Sequence, residues 1–488
     1  MTGDGIIGHW IAGRQLREGA DRFPDYDPAR GEPWAEVHAA SPAIVAEAVA
    51  AARKAYHMHR DRSVEERARM LERIADAMDS AADLLAEDEM RDTGKPWAQV
   101  RFQEVPRAIE QFRLFARLIR VWPQEAFETE LPDGRRALST LHPVPKGVIA
   151  LILPWNLPLI LLAWKLAPAL ACGNAVVIKP SEETPASALC LAEIIKAAGA
   201  PDGLVNVVHG FGPESAGAWL VESPGVDAVS FTGESATGSR IMAAAAAGLK
   251  DVSLELGGKN PGIVFADADI AAAAGEVAAS AFANCGQLCV GNERIYVERP
   301  ALAAFTEALV RRARELIPGD PRDKATRLMP LISAAHREKV ERAVAAARAA
   351  GAELLVGGAR PDAPAPVDKG YWYAPTVLTG LADDHPVLRE EIFGPVVHLA
   401  SFDDEDEAIA RANHSRFGLT ASVWSRDGVR AERVAGRLEA GVVWVNCWGV
   451  RDLRTAFGGM KASGIGREGG AHSLRFYAEW RTVCRRMR

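Results

Sequence analysis

From Gly147 to Trp164 the chain runs 18 residues without a charge, and what that stretch can become decides the architecture around it. Its length meets the criterion for a membrane-spanning helix. Pro154 and Pro158 fall in its middle, however, and Lys165 follows at once. Each proline removes a backbone donor and blocks a helical turn. The stretch therefore reads as a buried strand over 148–153, a turn over 154–158 and a helix from Leu159, with a second strand at 175–178. That is a strand-helix-strand unit of a parallel sheet, whose strands are near-continuous apolar runs.

The same alternation continues with strands expected at 205–208, 228–231 and 252–255. It predicts a doubly wound α/β sheet with ligands at the carboxyl ends of its strands. A fresh set at 262–265, 294–297, 396–401, 422–424 and 441–445 predicts a second α/β domain. The N-terminal third is expected to be helical after a short strand-and-turn opening. Ser63-Val64-Glu65-Glu66 is a capping box ahead of an amphipathic run ending near Thr93-Gly94, and a second helix covers roughly 104–120. Between 123 and 145 the helical pattern breaks, with a Pro132-Asp133-Gly134 turn between two extended pieces. The segment 476–484 reads as a strand that pairs with this arm or with another subunit. A chain of 488 residues suggests two or three domains. The boundaries expected are 1–122 with 146–257, then 258–469, and an arm of 123–145 with 470–488.

A formal net charge of -7 and a pI near 6.0 argue against nucleic acid or an anionic membrane as the main partner. The tail Arg485-Arg486-Met487-Arg488 reads as a solvated end. Met1-Thr2-Gly3-Asp4 begins neither a basic nor an apolar leader, so no signal peptide is expected. The six cysteines form no paired framework, which favours a reducing, cytoplasmic setting. Cys285 and Cys289 lack partners at zinc-finger spacing, so no metal site is expected.

Three short stretches carry chemistry. Cys289 stands among Asn284, Gly286, Gln287, Gly291 and Asn292, polar and small residues that suit a backbone open to a ligand. Position alone does not separate it from Cys285, whereas Cys172, Cys190 and Cys447 read as small core hydrophobes. Glu255 ends a strand before Gly257-Gly258. It is either paired to a nearby lysine such as Lys259 or a general base. Asn156, between Pro154 and Pro158, is either a turn former or an amide donor to an oxyanion. A fourth stretch, Phe231-Thr232-Gly233-Glu234, follows a strand and precedes a helix expected from Ser239, a place where a helix N-terminus can hold a pyrophosphate.

Pro-Trp-Asn-x-Pro at 154–158, Glu-Leu-Gly-Gly at 255–258 and Gly-Gln-x-Cys at 286–289 together resemble the NAD(P)-dependent aldehyde dehydrogenase superfamily, nearly end to end. The resemblance implies two Rossmann-type α/β domains, NAD-binding and catalytic, with a β oligomerisation arm and a homo-oligomer, dimer or tetramer. It makes Cys289 the nucleophile, with a depressed thiol pKa because the thiolate attacks. Glu255 becomes the base that hydrolyses the thioester, and Asn156 an oxyanion donor. NAD is the implied cofactor, held by Pro154, Trp155, Lys179, Ser181, Glu182, Gly212, Phe231, Thr232, Gly233, Glu234, Leu256, Glu391 and Phe393. The acid at Glu182 favours NAD over NADP by repelling a 2′-phosphate. Coenzyme A-acylating relatives typically lack the hydrolytic acid, so Glu255 argues against that chemistry. The intact Cys289, Glu255 and Asn156 set argues against a non-catalytic binding protein.

The stretches Phe231–Ser239, Trp444–Trp448 and Arg451–Thr455 resemble the 2-hydroxymuconate and 2-aminomuconate semialdehyde dehydrogenases in particular. A related aldehyde of a biosynthetic pathway is the alternative substrate. That subgroup carries carboxylate-binding arginines at the places of Arg107 and Arg451. With Arg107 at zero on its helix, Arg113, Arg117 and Arg120 fall at about 240°, 280° and 220°, while Ala108, Phe112, Phe115, Leu118 and Ile119 lie between about 20° and 140°. Arg107 therefore borders the apolar stripe, and the other three form a solvated face. Asp452 and Arg454 offer Arg451 local pairing, so a structural reading of that arginine stands beside the substrate-binding one.

Overall fold

In the computed structural model, which describes residues 5–19 and 21–487, the apolar runs of the first half line up as parallel strands. Met1–Asp4 and Arg488, on which the leader and part of the tail expectation rest, lie outside the described residues. Val148–Ile152 is central. Ala175–Lys179 and Val205–Val207 lie on one side of it, Ala228–Thr232 and Asp251–Glu255 on the other. Their side chains are largely buried because the helices Pro42–His59, Pro158–Ala171 and Ser235–Ala246 pack onto the sheet. Short antiparallel strands complete the eight, Gly464–Ile465 at one edge and His9–Ile11 with Arg14–Leu16 at the other. The uncharged run divides as its prolines require, with Pro158 at the first helical position, where a missing N–H costs nothing. Among the described residues no helix is long and apolar enough to cross a membrane.

The second sheet has seven strands. Asn260–Val264 is flanked by Asn292–Glu298 and Thr420–Trp424. Val396–Phe402 and Thr376–Thr379 lie beyond the former, and Val442–Val445 beyond the latter, all parallel. Glu353–Val356 closes one edge antiparallel. Separate apolar clusters pack against it, one around Phe305 and Leu309 and one around Phe265 and Phe402. The α/β expectation is borne out in both halves. Leu256 to Lys259 carry the chain from one sheet to the other.

The 123–145 segment forms Ala126–Glu130 and Arg136–Pro145 around a turn in which Gly134 has φ +79°. Arg136–Pro145 pairs on its other side with Ala478–Arg486, Ala478 opposite Pro145 and Arg486 opposite Ala137. Two expectations change in detail. The run from Ser63 is two helices, Val64–Ser80 and Ala82–Thr93, because Ala81 leaves helical geometry at ψ 17°. The capping box at Ser63 and Glu66 forms as expected, and Gly94 ends the second helix at φ +68°. The helix expected from Ser239 starts at Ser235 instead. Gly238 lies inside it, where a Cβ would come within 2.6 Å of Leu256 Cδ2, so the glycine serves helix–strand contact rather than a turn.

Candidate active site

The chain leaves Val148–Ile152 to one side and later returns to its other side as Ala228–Thr232. A crevice opens where the strand order reverses, at the carboxyl ends of these two strands. Two cavities of about 460 Å³ and 280 Å³ meet there and share Pro154, Trp155, Thr232, Gly233 and Glu234. The larger is also lined by Lys179, Ser181, Glu182, Gly212 and Phe231. The smaller is lined by Asn156, Leu256, Cys289, Glu391 and Phe393. Every residue expected to hold the cofactor thus borders one groove that ends at Cys289. Lys179 Nζ donates to Glu182 Oε2 at 2.9 Å. Glu234 is the N-cap of the Ser235–Ala246 helix but its side chain makes no cap bond, and the buried Thr232 Oγ1 has no partner.

Cys289 and Cys285 are separated by backbone geometry. After the Ile270–Phe282 helix, Asn284, Cys285 and Gly286 take φ of +50°, +55° and +70°. A Cβ at Gly286 would lie 2.1 Å from the Gly394 carbonyl oxygen, so this left-handed turn admits only glycine at its end. The turn places Cys285 in an apolar cluster with Tyr373, fully buried, and brings Cys289 to the cavity wall, half-buried. The depressed thiol pKa expected for Cys289 is not found. Burial, then the carboxyls of Glu391 and Glu255, push it up to about 12, against a downward pull from Arg451.

Asn156 is buried, and its Nδ2 donates to the Gln287 carbonyl at 3.0 Å. Asn284 Nδ2 donates in turn to the Asn156 carbonyl at 3.0 Å. Gln287 is fixed by its own side chain, which donates to Asn284 and Pro330 carbonyls and accepts from Ile332 N. The amide beside the thiol is therefore held by the loop that carries the thiol.

Glu255 is buried with neither carboxylate oxygen hydrogen-bonded. Burial and the neighbouring Glu468 raise its pKa well above the ordinary carboxylate value, opposed by Lys165, Arg451 and Arg467. Lys165 Nζ pairs with Glu468 Oε1, both buried. Pairing of Glu255 with Lys259 does not occur, because Lys259 pairs with Glu293. Gly458, at φ +153°, leaves room for the acid, since a Cβ there would lie 2.8 Å from Glu255 Oε1.

Glu391 folds back on the two glycines after Glu255. Its Oε1 accepts from Gly258 N at 2.9 Å, and a Cβ at Gly257 would lie 2.2 Å from its Oε2. Burial pushes Glu391 up to about 8. Phe393 holds a left-handed φ of +58°, and Glu293 Oε1 accepts from its N–H at 2.9 Å.

Arg107 lies on the Val105–Arg120 helix apart from Arg113, Arg117 and Arg120, which pair with surface acids. Burial alone lowers its pKa. Asp452 is taken by Arg454 at 2.6 Å, so the local pairing open to Arg451 is not used. The Arg451 guanidinium instead stacks 3.7 Å from the Trp164 centroid and 4.2 Å from that of Phe457, and its buried Nε and Nη1 have no hydrogen-bond partner. Burial, with Arg107 nearby, draws its pKa down to about 10 against an upward pull from Glu468 and Glu255. Two cations thus stand near one another, and one of them, Arg451, is close to Cys289 and Glu255.

Residues 16–483 match the model of the aldehyde dehydrogenase family. The chain belongs to the aldehyde dehydrogenase family. This aldehyde dehydrogenase is 51% identical over 480 residues to the 2-hydroxymuconic semialdehyde dehydrogenase of Pseudomonas sp. (strain CF600), covering 98% of this chain and 99% of that one. It is 46% identical to the 2-aminomuconic 6-semialdehyde dehydrogenase of a Pseudomonas species, over 99% of this chain and 97% of that one. Among solved structures, betaine aldehyde dehydrogenase from Staphylococcus aureus in complex with NAD+ superposes with a TM-score of 0.94 at 35% identity, over 98% of this chain and 94% of that one. The protein is an oxidoreductase.

Several residues of this aldehyde dehydrogenase that surround its site escaped the sequence reading. Lys165 and Glu468 stand behind Glu255, and Trp164 and Phe457, edge to face with each other, both lie against Arg451. Two had a usable signal. Lys165 is the lone charge in an apolar stretch, and Glu468 the acid in the glycine-rich run 464–470.

Proposed function

We propose that this aldehyde dehydrogenase uses NAD to oxidise a carboxylate-bearing semialdehyde, such as 2-hydroxymuconate or 2-aminomuconate 6-semialdehyde, to the corresponding acid. The observation that carries the substrate class is Arg451, whose buried N–H donors have no acceptor beside a second unpaired cation, Arg107. Stacking on two rings is worth about 2 kcal/mol each when desolvated. It leaves the two donors unmet, at about 1–3 kcal/mol apiece. A substrate carboxylate meets both the charge and the donors. The names of the relatives, muconic semialdehyde dehydrogenases at 51% and 46% identity, support the same class.

The groove fits a dinucleotide. The Lys179–Glu182 pair suits ribose hydroxyls, the uncapped start of the Ser235–Ala246 helix suits a pyrophosphate, and Glu391 with Phe393 suits the nicotinamide end. NAD, when bound, supplies the acceptor for the aldehyde hydrogen. Cys289 Sγ forms a bond to the aldehyde carbon as its proton passes to solvent, and the oxyanion accepts from Asn156 Nδ2 and the Cys289 N–H. Oxidation leaves a thioester on Cys289. Glu255 then takes a proton from the water that attacks the thioester carbonyl, releasing the acid and the thiol. Glu468, ion-paired to Lys165, lies behind it as an acceptor for the proton to move on to.

The arm supports a homo-oligomer, dimer or tetramer, because Ala126–Glu130 is exposed throughout and presents an edge strand. The six free cysteines suit the cytoplasm. On this reading 1–122 with 146–257 bind NAD, 258–469 carry the nucleophile, and 123–145 with 470–488 form the oligomerisation arm.

Arg107→Ala and Arg451→Ala are each expected to raise KM for a semialdehyde acid by on the order of 10²-fold, the scale of losing a desolvated charge pair of about 2–5 kcal/mol. A neutral aldehyde of similar size should lose far less. Equal losses on both substrates would sink the clamp. For the cofactor, Glu182 should give NAD the higher catalytic efficiency, and Glu182→Gln should narrow the ratio. A preference for NADP in the unaltered enzyme would overturn this.

A further inference from the structure

Away from the reacting groups, three charged side chains form a buried hub. Lys95 and Glu89 are completely buried and Glu104 nearly so. Lys95 Nζ lies 2.8 Å from Glu104 Oε2 and 3.7 Å from Glu89 Oε1. Gln99 Nε2 donates to Glu104 Oε1 at 3.0 Å. Glu89 Oε2 accepts from Leu159 N at 3.0 Å.

Each of these bonds reaches an element that carries one end of the proposed substrate site. Leu159 is in the first turn of the Pro158–Ala171 helix, whose own N-cap residue, Leu157, makes no side-chain cap bond. Glu89 supplies that cap from another helix, and Asn156 lies immediately before Leu157. A carboxylate at a helix N-terminus satisfies an otherwise orphan N–H and favours the helix dipole. At the other end, Glu104 closes a π-helical segment, Val100–Glu104, that leads directly into the Val105–Arg120 helix with Arg107 in its first turn. Insertions of this kind rotate whatever follows them, and they recur at functional sites. A third tie comes from Gly94, next to Lys95. Its missing Cβ would lie 2.4 Å from Pro330 Cγ, and the Pro330 carbonyl accepts from the Gln287 side chain that steadies the Asn156 partner.

We infer that Lys95, Glu89 and Glu104 are positioning residues that set the distance between Asn156 and Arg107, and so the length of semialdehyde acid the enzyme accepts. The inference rests on the carboxylate reading of Arg107 proposed above. A buried lysine bridging two carboxylates is a short link, and it joins the two helices that present the aldehyde-end donor and the acid-end cation. Both oxygens of Glu104 are engaged, so its loss of charge frees the π-helical turn rather than a single side chain.

The test uses Glu104→Gln in the full chain, with a series of saturated ω-oxo acids differing by single methylenes and a neutral aldehyde of matched size. The variant should raise KM for the preferred acid on the order of tenfold, less than the 10²-fold that a misplacement of about 1 Å can cost. It should flatten the dependence on chain length and leave kcat and KM for the neutral aldehyde unchanged. Gln99→Ala, at the half-buried rim of the hub, should shift the same profile in the same direction and serves if Glu104→Gln does not fold. An unchanged chain-length profile, or a loss shared equally by the neutral aldehyde, overturns the inference. Arg107→Ala separates the two readings: if it discriminates acid from neutral aldehyde while the hub variants do not, only the hub assignment fails. If it does not discriminate, the carboxylate reading fails with it.

Discussion

Cys289→Ala is expected to abolish aldehyde oxidation, with a loss on the order of 10⁶ in kcat, the scale on which removal of a covalent nucleophile is felt. Cys285→Ala should keep most of the activity, although the two thiols are only four positions apart in the chain. The difference lies in the turn between them. Three successive residues with positive φ send Cys285 into the cluster around Tyr373 and Val340 and leave Cys289 on the cavity wall. Losing the Cys285 sulfur opens a small void in that cluster, and the cost should appear in Tm, at about 1 kcal/mol, rather than in turnover. Mass spectrometry after incubation with an aldehyde and NAD, or with a thiol-directed alkylator, reads the assignment directly. An adduct on Cys285 with Cys289 unmodified would reverse it. The raised thiol value adds a pH component. Because burial and two carboxyls hold the Cys289 thiol near 12, its alkylation rate should still be climbing above neutral pH instead of levelling off at low pH.

Glu255→Gln should stop the cycle one step later. Attack by Cys289 and loss of the aldehyde hydrogen do not require an activated water, so NADH should form once per site and then cease, leaving a thioester on Cys289. Loss of general-base assistance typically costs about 10²–10⁴-fold, enough to make hydrolysis the slow step and the acyl-enzyme visible by mass. The position of Glu255 favours this outcome. Both its oxygens are unpaired, Lys259 is engaged elsewhere, and the nearest buried ion pair, Lys165 with Glu468, acts on it through space. A variant showing neither a burst of NADH nor a trapped acyl group would place Glu255 at the attack step, as the acceptor of the thiol proton.

Most of the strands could be placed along the chain because parallel strands buried on both faces have to be apolar almost without interruption, as in Val148–Ile152 and Ala175–Lys179. Local capping was equally legible at Ser63 and Glu66, since those bonds join residues three apart. The short strand at Gly464–Ile465 was not, nor was the pairing of the opening strand His9–Ile11 with Val205–Val207, because each is held to the sheet by a distant partner rather than by its own pattern. The helix after Thr232 was placed four residues late because Gly238 looks like a turn residue until Leu256 is seen packed against it.

By itself the sequence determined the α/β architecture, the residues able to do the chemistry, and the rejection of a membrane span, all of which follow from periodicity, proline placement and motifs within a few residues of one another. It left undecided which thiol meets the cavity on physical grounds and whether Arg451 is paired locally, and the downward shift expected of the Cys289 thiol is reversed in the structure. Those were decided only by the tertiary structure, because each depends on groups far apart in the chain. Glu391 and Glu255 set the thiol's charge environment, Trp164 and Phe457 lie against Arg451, and Gly394 closes over the turn at Gly286. Desolvation and Coulomb forces act through space, and no local pattern in the chain reports how near those groups come.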